Sequence, residues 1–187
     1  MIKITTPFTK DDALKFKAGD QVLISGVIYT GRDAAHKRLI QLIQNNKPLP
    51  FDVENQIIYY VGPTPSKPGH VFDSGGPTTS GRMDAYAPEL LKLGLRGMIG
   101  KGYRNNVVKQ AIKDYQGIYF GAIGGAGAYI SHCIKDCEVI AFEDLGTEAI
   151  RRLYVEDLPV TVLIDCQGND LYELGRVQYL KEHNYDN

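Results

Sequence analysis

The stretch "QVLISGVIYTGRDAAHKRLIQLIQNN" (residues 21–46) changes period in its middle, and that change sets the fold class. Residues 21–30 are dense in β-branched side chains, the composition of a strand. After Gly31 and Arg32 the apolar residues Ala35, Leu39, Leu42 and Ile43 recur at helical spacing, and "NNKPLP" (45–50) stops the run. A strand that turns into a helix through a Gly-Arg pair is a building unit of α/β proteins.

The same alternation extends in both directions. Upstream, "TKDDALKFKAGD" (9–20) predicts a short helix with Thr9 as cap and two acids in the first turn. Downstream, "NQIIYYVGP" (55–63) predicts a strand and "SKPGHVFDSGG" (66–76) a loop. "APELLKLG" (87–94) is a short helix, with Pro88 tolerated in its first turn and Gly94 as its stop. "RGMIGKG" (96–102) is a strand feeding a glycine turn, and "NNVVKQAIKDYQG" (105–117) a helix. "IYFGAIGG" (118–125) is a strand and "AGAYISHCIKDC" (126–137) a helix of small residues. Two further strands, in "EVIAFEDLG" (138–146) and "RLYVEDLPVTVLIDCQGND" (152–170), complete the pattern. The order lacks a strict βαβ rhythm, so the expectation is an α/β fold: a mixed sheet flanked by helices, one domain over residues 1–187.

Bulk properties exclude several classes of function. With 43% hydrophobic and 23% charged residues in 187, the chain has the material for one ordinary core. A formal charge of −1 exerts no global pull on nucleic acid or anionic lipid, so any anion site must be a local cluster. Three cysteines (Cys133, Cys137 and Cys166) do not make a disulfide framework, and "MIKITTPFTKDD" (1–12) lacks the apolar core of a secretory leader. The uncharged run from Gln116 to Cys133 is broken by five glycines. A cytoplasmic protein with no membrane span is expected.

Local clusters of the required kind occur three times. "YTGRDAAHKR" (29–38), "GGPTTSGRMD" (75–84) and "GMIGKGYR" (97–104) each bring glycine or a small hydroxyl residue up to a basic residue at the end of a strand or loop. Such junctions gather at one edge of an α/β sheet, where backbone N–H groups and fixed cations favour an anion. Arg32 and Arg82 suit bidentate capture of a carboxylate, and Lys101 adds a compact charge. One Gly-Arg turn by itself is usually structural; three at corresponding places are not so easily dismissed. Neither "GxxxxGK[ST]" nor a convincing "GxGxxG" is present, and "GAIGGAGA" (121–128) reads as close backbone packing.

Taken together, these three motifs closely resemble the β subunit, or C-terminal domain, of class I iron–sulfur fumarases and of the related tartrate dehydratases. The likeness runs in order from "ITTPFTKDD" (4–12) to "LIDCQGND" (163–170). The resemblance implies a swivelling β/β/α-type domain docked on a cysteine-rich α subunit that holds a [4Fe–4S] cluster, in αβ pairs. It implies that Arg32, Arg82 and Lys101 bind the carboxylates of fumarate or malate. It also implies that Thr78 is the catalytic base, a role that needs activation by a neighbour from the α subunit.

The expected activity is therefore reversible hydration of fumarate to (S)-malate. L(+)-tartrate dehydration is the alternative, and a non-catalytic dicarboxylate-binding module is an alternative of another class. The glycine before Arg32 and before Arg82 favours the fumarase version. None of the three cysteines lies in a motif that matches the family's cluster ligands; Cys133 and Cys137, four apart, would share a helix face. His36 and Asp33 are read as helix residues and Asp84 as a cap or a partner of Arg82, all outside the core site. Tyr59, Tyr60, Tyr115 and Tyr119 are read as core and interface material.

Overall fold

Strand β2 (Gln21–Thr30) alternates buried and partly exposed residues along its length, the period of a strand with one face in a core. The computed structural model describes residues 1–64, 72, 75–122 and 127–182. In it, one side of β2 is shared by β1 (Ile2–Thr5), parallel to its first half, and β3 (Ile57–Tyr59), parallel to its end. Strands β4 (Gly97–Gly100) and β5 (Ile118–Gly121) continue in parallel from β3. The long β7 (Ile150–Ile164) then returns antiparallel, pairing with β5 at its end and with the other side of β2 along most of its length. The order β2-β3-β4-β5-β7 thus closes on itself as a five-stranded barrel. Strand β6 (Ile134–Ala141) is appended antiparallel to β7.

Closure divides the apolar residues into two cores. Val22, Ile24, Ile28, Ile99, Phe120 and Val162 belong to the cluster that fills the barrel, with Phe8 and Phe16 packed against it. The alternate residues Ile58, Tyr60, Met98, Tyr119 and Leu163 point outward beneath the helices. Those helices are α2 (Asp33–Gln44), α3 (Ala87–Lys92) and α4 (Asn106–Tyr115), which contribute Leu39, Leu90 and Ile112 to the same cluster. The short α1 (Lys10–Ala13) begins with the expected Thr9 cap, reciprocated by Asp12. The other helices are α5 (Gly127–Cys133) and α6 (Leu171–Glu182). Among the described residues no helix is long and apolar enough to cross a membrane.

The mixed sheet with flanking helices matches the expectation, and the differences have physical reasons. The helix expected over 126–137 ends at Cys133, because the β-branched residues of Ile134–Ala141 pair with β7, Ile134 opposite Val155 and Cys137 opposite Leu153. Cys133 and Cys137 therefore share no helix face. The strand expected over 138–146 stops at Ala141, and a 3-10 turn, Glu143–Glu148, follows. Strand β1 and helix α6 are additions; α6 leaves Tyr172, Leu174, Val177 and Tyr179 largely exposed, so no apolar stripe marks it. Most of the loop over 66–76 and the glycines at 124 and 125 lie outside the described residues.

Because β2, β3 and β4 are parallel, their C-terminal ends share one edge of the barrel. All three motifs leave from that edge.

Candidate active site

Arg32 is the first residue past β2 and the N-cap of α2, with extended backbone angles. Its side chain packs against Gly62, where a Cβ would stand 2.9 Å from Nη1; any side chain there would displace the arginine. Asp33 opens α2 and lies between two arginines: its Oδ1 accepts from Arg82 Nε at 2.8 Å, and its Oδ2 is 3.8 Å from Arg32 Nη2. Glu148 approaches the same nitrogen, with Oε1 3.4 Å from Arg32 Nη2. Its other oxygen, Oε2, accepts from the Ala34 N–H at 2.9 Å.

The segment from Thr78 to Arg82 is laid across the ends of β3 and β4 as an extra rung. The Thr78 N–H donates to the Tyr60 carbonyl at 2.7 Å, Lys101 N–H donates to the Thr78 carbonyl at 3.3 Å, and Ser80 N–H donates to the Lys101 carbonyl at 2.9 Å. Thr79 and Lys101 thereby form a parallel bridge. The rung lies close enough that a Cβ on Gly100 would collide with Ser80 Oγ, which is why glycine precedes the lysine. Beyond it, the 3-10 turn Ser80–Met83 projects Arg82 outward, 54% exposed at its side chain.

The four residues singled out from the sequence thus fall at one edge in two linked pairs. Asp33 joins Arg32 to Arg82, backbone hydrogen bonds join Thr78 to Lys101, and the span 78–82 connects the pairs. Arg32 and Arg82 face the carboxylates of Asp33 and Glu148, and Lys101 stands exposed on the neighbouring rung. Two participants were not expected. Asp33, expected only as a helix residue, lies between the two arginines, and its place after Gly-Arg is the available signal. Glu148 carried no motif at all, since it reaches the site from 114 residues beyond Ala34.

A buried polar layer supports this edge from below. Asp84 accepts from Arg104 Nε at 2.6 Å and from the Asn105 N–H at 2.7 Å, so it pairs with Arg104 and not with Arg82. The Arg104 guanidinium lies over the rings of Tyr60 and Tyr119, at 5.4 and 5.0 Å from their centroids. The Tyr119 hydroxyl is 2.9 Å from both Ser80 Oγ and the Gly102 carbonyl. Tyr59, Tyr60 and Tyr119 are core residues, whereas Tyr115 is partly exposed.

His36 belongs to this layer too. It is fully buried, edge-on to Tyr60, with Nδ1 2.9 Å from the Arg32 carbonyl. Burial, with Arg104 acting in the same direction against the Arg32 carbonyl and Asp33, pushes its pKa down from 6.5 to about 4. Nδ1–H then donates to Arg32. The unfolded chain binds this proton more readily than the native one, so stability falls as pH drops from about 6.5 towards 4. Urea midpoints measured between pH 7 and 5 should decline in the parent chain and flatten in His36→Asn; equal slopes would refute the assignment.

Among the described residues the cysteines form no metal site. Cys133 and Cys166 are buried and Cys137 is half-buried, and burial pushes all three thiols up, away from the thiolate that a metal requires. Among the described residues no group of three His, Cys, Asp or Glu side chains is placed to hold a metal ion. This donor set does not fit an iron–sulfur cluster.

The fold is an α/β barrel domain with a cluster of basic residues at one edge, and comparison with known proteins places it in a family. The family described as Fumarase C-terminus matches residues 1–175. The aerobic class I fumarate hydratase of Escherichia coli K12 is 37% identical over 161 residues, covering 85% of this chain and 29% of that protein. A putative class I fumarate hydratase of Geobacillus stearothermophilus is 38% identical over 178 residues, 92% of this chain and 34% of its own length. A putative L(+)-tartrate dehydratase subunit beta of Methanocaldococcus jannaschii is 38% identical over 171 residues, 88% of each chain. The chain belongs to the Fumarase C-terminus family. It spans about a third of the length of the fumarate hydratases it matches.

Proposed function

We propose that this chain, one domain over residues 1–187, is the β subunit of a heteromeric class I fumarate hydratase. In this reading it acts in the cytoplasm, in αβ pairs, and interconverts fumarate and (S)-malate. The observation that carries the proposal is the pair of arginines held about Asp33 beside the Thr78–Lys101 rung. Fumarate and malate are dianions; Arg32 and Arg82 take their carboxylates in bidentate fashion and Lys101 adds charge. Thr78 removes the proton from the carbon next to one carboxylate, and the electron pair moves into that carboxylate. Fixed cations stabilise the charge most where it is greatest, at the transition state.

Arg82 and Lys101 are exposed, and a site that must exclude water around a dianion needs a cover. That cover is the cysteine-rich α subunit, which in this reading holds the [4Fe–4S] cluster, supplies the group that activates Thr78 and sees to departure of the hydroxyl. The match over 88% of each chain to a protein named putative L(+)-tartrate dehydratase subunit beta supports a second reading, in which the same edge receives L(+)-tartrate.

Anaerobic assays of this chain alone, and co-expressed with its candidate α partner, decide between the readings when malate, fumarate and L(+)-tartrate are offered separately. Turnover of malate and fumarate only in the complex supports the first, and preference for tartrate supports the second. A complex with intact cluster that binds dicarboxylates without turnover would leave a binding module. In the active complex, Thr78→Ala should lower kcat about 10²-fold with KM nearly unchanged, as expected for loss of a proton-transfer group. A change confined to KM would make Thr78 a contact only.

A further inference from the structure

We propose that Glu148, on the turn between β6 and β7, is a positioning residue that aims the Arg32 guanidinium at its ligand, an inference that rests on the carboxylate-binding role of Arg32 given above. Glu148 Oε1 and Asp33 Oδ2 flank Arg32 Nη2 at 3.4 and 3.8 Å, both beyond hydrogen-bond length. Charge therefore orients the fork, and its buried Nε has no hydrogen-bond partner among the described residues. Gly62 packs against the same side chain: a Cβ there would stand 2.9 Å from Arg32 Nη1 and 3.2 Å from the Thr147 carbonyl oxygen.

The turn that carries Glu148 is itself fixed. Arg38, on α2, makes a two-pronged ion pair with Asp144 and lies over the Phe142 ring at 5.3 Å. Arg151 donates to the carbonyls of Gly146, Thr147 and Ala149 at 2.9, 3.2 and 3.2 Å. Thr30, the last residue of β2, binds the Ala149 carbonyl and the Arg151 N–H through its hydroxyl. Glu148 thus stands on a turn tied both to the strand that delivers Arg32 and to the helix that Arg32 caps. A carboxylate on that turn that only satisfied the start of α2 would need Ala34 alone; Glu148 spends its second oxygen on Arg32.

The test separates aim from charge and from helix capping. Glu148→Gln keeps an acceptor for the Ala34 N–H and removes the charge facing Arg32. In the assembled enzyme, KM for fumarate should rise about 10-fold in Glu148→Gln, with kcat within about twofold and an unchanged melting temperature. Glu148→Ala should show the same kinetic loss with added destabilisation; should it fail to assemble, Glu148→Gln carries the test. In an Arg32→Ala background, Glu148→Gln should change KM no further.

If Glu148 merely neutralised the site, its removal would improve binding of a dianion and KM would fall, overturning the proposal. A full additive loss in the Arg32→Ala background would overturn it as well. Parent enzyme without turnover of either dicarboxylate would instead refute the functional reading, whereas an active parent indistinguishable from Glu148→Gln would refute this inference alone.

Discussion

Replacing Arg82 with alanine should lower kcat/KM about 10³-fold, equivalent to ~4 kcal/mol of transition-state stabilisation, while leaving the fold intact. The fold survives because Arg82 stands on a 3-10 turn with its side chain 54% exposed, held by one ion pair to Asp33. Exposed pairs of this kind contribute little to stability, so the melting temperature should move by only a few degrees. The catalytic loss is large because two effects add. In the proposed function, the substrate carboxylate loses a bidentate partner, and it then faces Asp33, whose nearer cation is gone. Arg82→Lys should recover part of the loss, since a point charge balances Asp33 without matching the carboxylate plane. Steady-state kinetics on the assembled enzyme, paired with thermal melts, check both halves. A kcat/KM within about threefold of the parent would remove Arg82 from the site.

The parts of this fold that could be read from the chain are those written in local periodicity and at element ends. The strand-to-helix change at Gly31, the Thr9 cap and the three basic junctions all recur in the structure where the residues put them. Barrel closure could not be read, because β7 pairs with β2 across about 130 residues and both strands alternate as ordinary strands do. The break at Cys133 was hidden by short range: "AGAYISHC" favours helix, "IKDCEVIA" favours strand, and no glycine or proline separates them. Within the candidate site, Arg32, Arg82, Thr78 and Lys101 stand in motifs that the sequence displays and that the fold brings to one edge, whereas Glu148 lies in none. Asp84 misled by proximity. It is two residues from Arg82, but the 3-10 turn sends the arginine out to Asp33 and the aspartate in to Arg104.

That inward turn makes Asp84 the residue whose loss should cost the fold most. Arg104 is fully buried at its side chain, its Nε donates to Asp84, and two tyrosine rings flank it. Asp84→Ala leaves a guanidinium in the interior with no counter-charge, a change that destabilises by about 3–5 kcal/mol. In a chain of this size the melting temperature should fall by about 10 °C or more. Asp84→Asn retains one acceptor but not both, because its amide nitrogen cannot accept from the Asn105 N–H, and it should fall between alanine and the parent. The double variant Asp84→Ala with Arg104→Met should be less destabilised than the sum of the singles, since it removes the stranded charge that each single change creates. Activity should follow stability here, because Asp84 also anchors Asn105, whose side chain caps α4 just past Lys101. Losing that anchor loosens the strip against which the Thr78–Arg82 rung is aligned. Equilibrium urea unfolding at 25 °C measures the singles and the double on one scale. An Asp84→Ala variant within about 1 kcal/mol of the parent would mean that the tyrosine faces alone suffice to hold Arg104, and that the ion pair is not what fixes this edge of the barrel.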